Sequence, residues 1–592
     1  IAREQADYES VKEWLGSNAI PLRTVEAGNG FEDMQPLKKL IGNSRIVALG
    51  EATHGTREFF QLKHRMLEFL VNEMGFTVFG MEVPMPDGFD VNEYVLNGIG
   101  NPDEALEGLH HWCYNTEEVL EMIRWMRKYN EDVNHPAKVK FYGFDIQFIV
   151  RPVKRAVEYL GKVDPEQARQ FSAGLEDLAD PFLANRWNNG WAMPVERREE
   201  MTAIVNTLAN RFDKHKVEYI QRSTLAEWEV ARQHVNIIEQ NLLMLKGTIG
   251  NVRDSTMAEN IRWILEQEGS DTKMVVWAHN YHVAESTADL MGWHLRKIFG
   301  NELVTIGLAF NQGSFKAVQL HPIIGGLLHT YTVDPAPEGS FDATFAAAGL
   351  TVAAINFHDI PQEGPVNRWF TAPHAKFDIG DTVLDEADTS FHSASQLQFL
   401  AAQYNAILFI EKTTASRPNK TLVMKVRKIL NSPENLDFEK GYPGGLPLEW
   451  EIPIRIASSY YQAVVSADKP WSGKQCVMVK RKPNKEYNEP FGLISQAIDA
   501  TAYREKKITL RASVRVESNE NRDKAYLWVR VYKPGYFNYY NLSNHTITSN
   551  NWNEYEITGD VAADAMAIEY GLAFVGDGAA YLDAITLESI DK

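Results

Sequence analysis

Cysteine is almost absent: Cys113 and Cys476 are the only two in 592 residues. Thiols so few and so far apart give neither a disulfide framework nor a CxxC metal pattern. Basic residues are also in deficit, 60 Lys and Arg against 79 Asp and Glu, for a formal net charge of -19. So acidic a chain lacks the basic stripe that grips nucleic acid, and no nucleic-acid partner is expected. Long apolar runs are missing too. No stretch approaches the roughly 18 continuous apolar residues of a membrane span, so none is expected. The sequence holds no P-loop, no G-x-G-x-x-G, no helical HExxH and no G-x-S-x-G elbow, which removes the usual signatures of nucleotide, zinc-protease and serine-nucleophile chemistry. The opening Ile1-Ala-Arg-Glu-Gln has no signal-peptide shape, and the expectation is a cytoplasmic protein. It also lacks an initiator methionine, which fits a removed leader and keeps secretion open.

What is present is an ordinary globular composition, 44% apolar and 23% charged, over a length that calls for two or three domains. Two segments dominate it: Ile46-Val-Ala-Leu-Gly-Glu51-Ala-Thr-His54-Gly and Met274-Val-Val-Trp-Ala-His279-Asn-Tyr-His282. In each, a short apolar run stops at acidic or imidazole side chains. Such runs read as strands buried on both faces, the habit of parallel sheets covered by helices. Ligands of these sheets bind beyond the carboxyl ends of the strands.

The same pattern recurs in Thr77-Val-Phe-Gly-Met-Glu82 and in Lys138-Val-Lys-Phe-Tyr-Gly-Phe-Asp145, with further apolar strands at 303–310, 350–357 and 406–411. Between the early strands lie helical stretches. Residues 57–74 carry apolar side chains at 59, 62, 66, 69, 70 and 74, and Asn115 with Glu118 offers a capping pattern before Val119, Met122, Ile123 and Met126. Alternating strand and helix implies βαβ units. From about 151 to 268 strand-like runs vanish and long amphipathic stretches (201–212, 224–245) replace them. This is a helical insertion, packed over one side of the sheet, that either caps a cleft or completes the core. Loop-forming residues follow, and then period-2 segments at 507–516, 525–532 and 567–575. The expected architecture is an α/β domain over 1–418, mainly a parallel β-sheet covered by helices. A linker over 419–444 and an all-β sandwich over 445–592 complete it.

Glu51 and His54 lie three apart between Gly50 and Gly55, in a turn that can aim both into one pocket. Imidazole titrates near neutrality, and a neighbouring carboxylate can fix its tautomer. Glu82 on the neighbouring strand end is either that partner or a holder of water. His279 and His282 would position the nucleophile or polarise a carbonyl. A metal reading competes, because two His and two Glu also suit Zn²⁺, Mn²⁺ or Fe²⁺, and spacing alone does not separate the two chemistries.

Gly50-Glu-Ala-Thr-His-Gly55 followed by Arg57-Glu-Phe-Phe resembles the opening motif of the erythromycin esterase family. Phe79-Gly-Met-Glu82, Phe141-Tyr-Gly-Phe-Asp145, Arg253-Asp254 with Met257-Ala258, and Trp277-Ala-His279-Asn280-Tyr-His282 resemble later family segments in order, over about residues 30 to 415. The resemblance implies an α/β esterase that opens macrolide lactones by hydrolysis and needs no metal or other cofactor. It implies His54 as general base on water, with Glu51, Glu82, His279 and His282 supporting catalysis in the same pocket. Their shared position at strand ends leads to the expectation that Glu51 and Glu82 orient base and water while His279 and His282 stabilise the oxyanion. Arg57, Asp145 and Arg253 fall in the motifs as substrate-binding or supporting residues, or as structural ion-pair partners. A small lactone or ester is the expected partner, and some relatives carry labels linking them to succinoglycan biosynthesis. Substrate choice is expected to lie with the cleft walls, chiefly the helical insertion.

The carboxy-terminal segment resembles carbohydrate-binding jelly rolls of the galactose-binding-like type, through Phe491-Gly-Leu-Ile-Ser-Gln-Ala-Ile, Ala512-Ser-Val-Arg-Val and Asn551-Trp-Asn-Glu-Tyr-Glu-Ile. A glycan contact through this sandwich is the second expected partnership. Trp528, Tyr532, Tyr536, Tyr539 and Tyr540 are the candidates to stack on sugar rings, with core or edge packing as the alternative. A glycan-binding protein without esterase activity is the corresponding non-enzymatic reading.

Overall fold

The computed structural model describes residues 2–179, 193, 195–246, 249–286, 288–321, 325–383, 395–419, 429–451, 461–481, 492–518, 523–533, 536–541 and 546–591. The chain folds as two compact units, Ile1–Gln319 with His329–Arg417, and Leu320–Leu328 with Pro418–Lys592.

The first unit is built on strands β1 (Ile20–Pro21), β2 (Ile46–Leu49), β3 (Val78–Pro84), β4 (Lys140–Asp145), β5 (Met274–Trp277), β6 (Leu303–His321), β7 (Gly325–Val333), β8 (Val352–Asn356), β9 (His374–Phe377), β10 (Thr382–Val383), β11 (Ser395–Gln398) and β12 (Ala406–Thr413). The main sheet runs β1-β8-β12-β6-β2-β5-β3-β4, with β7 and β10 also paired to β6, while β9 and β11 pair apart. From β12 through β4 the neighbours are parallel. At the other edge β8 is antiparallel to β12, and β1 to β8. The sheet is thus mainly parallel, with an antiparallel edge that the apolar run at 350–357 does not announce. Strands β2 and β5 are in register, Ile46 opposite Met274 and Leu49 opposite Trp277. Glu82 is not on the strand next to β2, because β5 lies between β2 and β3.

All four β2 residues are fully buried, each Ile, Val or Leu contributing about 2 kcal/mol on that count. Their alternation divides them between two cores. Val47 and Leu49 meet helix Arg57–Met74 through Phe59, Phe60, Leu62 and Met66, and helix Glu117–Glu131 lies in the same layer through Val119, Met122, Ile123 and Met126. Ile46 and Ala48 face a second layer that includes Met257, Ile261 and Ile264 of helix Ile249–Glu268. The helix over 57–74 ends where Gly75 (φ +73°) turns left-handed and its N–H closes on the Leu70 carbonyl. The cap of Glu117–Glu131 is Thr116 rather than Asn115, its hydroxyl accepting from Val119 N. One residue of slippage is enough, since either side chain suits an N-cap.

The insertion is helical, as its lack of strand-like runs implies. Helices Val150–Val163, Pro165–Gly174, Val195–Lys214 and Leu225–Lys246 enclose a core of their own that includes Leu160, Phe171, Phe212, Trp228 and Ile238. Ile237 and Met244 turn instead to the second layer beside the sheet.

The second unit is an all-β sandwich. Its strands are β13 (Ile429–Leu430), β14 (Tyr461–Ser466), β15 (Cys476–Arg481), β16 (Gly492–Asp499), β17 (Lys506–Glu517), β18 (Lys524–Lys533), β19 (Tyr536–Asn541), β20 (Asn553–Asp560), β21 (Ala567–Val575) and β22 (Ala579–Asp591). As described, they form the sheets β13-β16-β21-β18-β19 and β14-β15-β22-β17-β20. β13 pairs with β16, and Leu430 and Phe438 lie in the sandwich core, so the residues read as a 419–444 linker already belong to it in part. Trp528 is 1% exposed, which withdraws its face from any sugar. The Tyr532 hydroxyl donates to Glu569 Oε2 (2.6 Å) and accepts from Arg530 Nη1 (3.0 Å). The side chains of Tyr536, Tyr539 and Tyr540 lie outside the described residues.

Candidate active site

Strands β2, β5, β3 and β4 are consecutive neighbours, and their carboxyl ends deliver Glu51, His279, Glu82 and Asp145 to one region. Gly50 and Gly55 make the β2 turn possible for a reason other than a left-handed backbone. A Cβ on Gly50 would stand 2.2 Å from Asn280 Oδ1, and one on Gly55 1.9 Å from the Lys316 carbonyl oxygen. The β5 turn is fastened by the buried Asn280, whose amide donates to Leu308 O (2.8 Å) and accepts from Leu308 N (3.0 Å). Cross-links between the turns complete the frame: Asn280 N to Glu51 O (2.9 Å) and Ile379 N to Ala52 O (2.7 Å).

His54 and Glu51 form a dyad, Nδ1 to Oε1 at 2.7 Å. Glu51 is fully buried, and its Oε2 accepts from Lys63 Nζ (2.8 Å) and Trp277 Nε1 (2.9 Å). Burial alone would raise the Glu51 pKa, but the Lys63 charge and the His54 bond hold it below its ordinary value. An ionised Glu51 has no proton to give, so His54 Nδ1 is the donor. The other ring nitrogen, Nε2, has no partner among the described residues, and the ring lines the cavity. Burial pulls down on the His54 pKa, yet the Glu51 hydrogen bond and charge raise it above 6.5. Lys63 is itself fully buried, 4.3 Å above the Trp277 ring, and burial brings its pKa down to about 8.

A second network adjoins the dyad. Arg253 forks onto Asp145, Nε to Oδ1 at 3.0 Å and Nη2 to Oδ2 at 2.8 Å, and Nη2 also reaches Glu82 Oε1 at 2.7 Å. Glu82 Oε2 accepts the His279 backbone N–H (2.9 Å). Desolvation opposes the Glu82 charge, but His282 and Arg253 hold its pKa well below the ordinary range. His282 lies between two carboxylates, Nδ1 2.7 Å from Asp254 Oδ1 and Nε2 3.3 Å from Glu82 Oε1. Against burial, the Glu82 charge and the Asp254 hydrogen bond lift its pKa to about 9, so it is an imidazolium at neutral pH. His279 Nδ1 accepts from Tyr281 N (3.2 Å), leaving Nε2–H toward Ile379 O (3.3 Å) and Asp378 Oδ1 (3.2 Å). The His54 and His279 rings are 4.9 Å apart.

These groups border a cavity of about 630 Å³, lined by His54, Glu82, Arg253, His279 and His282 on the strand side. Tyr114, His111 and Cys113 also line it, as do Asp378, Asp381, Leu397, Gln398 and Tyr404. Its size suits a drug-sized organic ligand. Among the described residues, Arg253 lines it from the 151–268 insertion, and a larger share of the wall comes from 378–381 and 397–404. Arg57 is not on the lining. It stands 3.6 Å from Glu118 Oε1, in a partly buried ion pair. Asp145 is not on the lining either and bonds to Arg253, which is.

The same side chains meet, but not as a metal centre. Among the described residues no group of three or more His, Cys, Asp or Glu side chains is arranged to hold a metal ion. The candidate oxygens of Glu51 and Glu82 are already bonded to Lys63, Trp277 and Arg253. Lys63, Trp277, Asp254, Tyr114 and Asp378 are site residues that sequence reasoning missed. Asp254 and Trp277 lie inside segments already read as motifs, and Lys63 left a signal of its own, a cation on the apolar stripe of its helix between Phe59 and Leu67.

Known proteins share this frame. The family described as erythromycin esterase matches residues 71–413. Erythromycin esterase type II of Escherichia coli is 25% identical over 397 residues, 60% of this chain and 90% of that protein. The YbfO protein of Bacillus subtilis is 23% identical over 445 residues, 70% of this chain and 94% of that protein. A solved structure described as a succinoglycan biosynthesis protein is 28% identical, covers 69% of this chain and 98% of its own, and superposes with a TM-score of 0.58.

Proposed function

Because the chain belongs to the erythromycin esterase family, we propose that this hydrolase cleaves a lactone or ester, macrolide-like in size, with water activated by His54. The observation that carries the reading is the dyad: Nδ1 tied to an ionised carboxylate, Nε2 without a partner among the described residues, on a ring that lines an organic-sized cavity. Water held by Nε2 gives up a proton to the imidazole as its oxygen attacks the carbonyl carbon. The tetrahedral intermediate then expels the alkoxide, which takes that proton back from His54. The products are one acid and one alcohol, joined in a single chain when the substrate is a lactone. Glu51 fixes the tautomer and stabilises the transient imidazolium, as the carboxylate of a catalytic dyad does. Lys63 keeps Glu51 ionised. The Glu82, Arg253 and His282 cluster fixes the field along the same wall and anchors the His279 turn.

The test is His54→Asn, assayed by mass spectrometry for the gain of one water on a panel of macrolides, simple lactones and aryl esters. Turnover is expected to fall by roughly 10³-fold or more with the thermal midpoint unchanged. Full turnover in the variant would remove His54 from the mechanism.

A further inference from the structure

Hydrolysis by this route places negative charge on the former carbonyl oxygen, which needs a donor beside the base. The imidazoles are poorly placed to give one. Both His282 nitrogens are engaged, and His279 turns its N–H to Ile379 and Asp378. The Tyr404 hydroxyl donates to Asn280 O (3.0 Å), and the Gln398 amide to Asp378 Oδ2 (3.3 Å).

Tyr114 is different. It lines the cavity, is 1% exposed, and sets its hydroxyl oxygen 3.4 Å from His54 Nδ1. That nitrogen carries the hydrogen given to Glu51, so it has no lone pair to accept from the phenol. The Tyr114 oxygen can only receive a share of the Nδ1 hydrogen, and its own proton has no acceptor among the described residues. The ring is held edge-on by Trp277 (6.0 Å), His111 (6.1 Å) and His54 (5.9 Å). The loop beneath it is fixed by Tyr114 N and Asn115 N on His111 O and by the Thr116 cap two residues on. Burial moves the phenol pKa well above 10, so it stays protonated whenever His54 is a competent base.

We propose that Tyr114 is a catalytic residue that donates its hydroxyl hydrogen to the oxyanion formed during hydrolysis. The assignment rests on His54 acting as the base, and the test separates the two. Wild type, His54→Asn and Tyr114→Phe are assayed on erythromycin and on p-nitrophenyl acetate across the pH range. Phenylalanine keeps the ring contacts, so the thermal midpoint should hold. Expected is a drop in kcat of roughly 10²-fold for Tyr114→Phe, with KM unchanged and the acid limb of the pH profile unmoved. A Tyr114→Phe enzyme with wild-type kcat overturns the assignment while leaving His54 in place. So does a loss that appears as a shifted acid limb, because the hydroxyl would then act only by tuning His54. Wild-type protein that hydrolyses neither probe overturns the base and the donor together.

Discussion

Glu51→Gln is the sharpest probe of how the base is held. The substitution keeps the shape of the side chain but removes the charge that faces Lys63 in a fully buried pair. Losing one partner of such a pair leaves an uncompensated ion, usually at a loss of 3–5 kcal/mol. The protein has one escape, to deprotonate Lys63. The ordinary pKa of 10.5 lies 3.5 units above pH 7, and at about 1.4 kcal/mol per unit the escape costs about 5 kcal/mol. The expected loss at pH 7 is therefore about 3–5 kcal/mol, with the upper bound set by titration. Near pH 9.5 the same arithmetic leaves about 1.4 kcal/mol, because the unfolded lysine is then close to releasing its proton too. Urea unfolding at the two pH values, with unchanged m, measures both. The double variant with Lys63→Met should recover to within about 1 kcal/mol of wild type but not regain turnover. A loss below about 1 kcal/mol at pH 7, or one equally large at pH 9.5, would refute the buried ion pair as the support of Glu51.

Turnover should describe a bell against pH. It rises as His54, with its raised pKa, becomes neutral, and falls as Lys63 and His282 lose protons near about 8 and 9; a flat kcat/KM through that upper range contradicts the assignment. Stability separates these two cations by sign. The raised pKa of His282 gives stabilisation that is complete below about 6.5 and lost as pH rises through about 9, so His282→Asn should flatten the decline of unfolding free energy over that window. The lowered pKa of Lys63 works oppositely, adding stability between about 8 and 10.5, and Lys63→Met should remove that rise. Asn280→Ala strips the Leu308 N–H and C=O of their buried partners, and urea denaturation should show a loss of about 2–5 kcal/mol.

Much of this was legible from local pattern. Both strand-and-turn segments, the helix over 57–74 and the helical character of the insertion follow from period and burial. Glu51, His54, Glu82, His279 and His282 do converge, since strands β2, β5 and β3 carry them to one sheet end. Less legible were contacts that depend on strand order. Nothing in an apolar run such as 352–356 encodes its direction, and nothing in Thr77-Val-Phe-Gly-Met-Glu82 says that residues from beyond 270 separate it from β2. Tyr114 sits in an aperiodic loop, and the wall from 378–381 and 397–404 mixes polar and irregular residues. Both gain meaning only from neighbours distant in sequence. Arg57 stood between two readings, supporting residue and structural ion-pair partner, and its approach to Glu118 fits the second.

The place of β5 has a consequence for how the chain is made. Strands β2 and β3 are consecutive in sequence, yet they flank a slot that only β5 fills, and Met274 follows Pro84 by 190 positions. At about 5–20 residues per second, a ribosome leaves that slot empty for about 10–40 s. Throughout that interval β2 and the facing edge of β3 present apolar, hydrogen-bond-hungry backbone. The dyad waits as well, since Trp277 arrives with β5. A truncated chain ending before 274 would then carry the entire Gly50–Gly55 motif and still lack the indole N–H that holds Glu51.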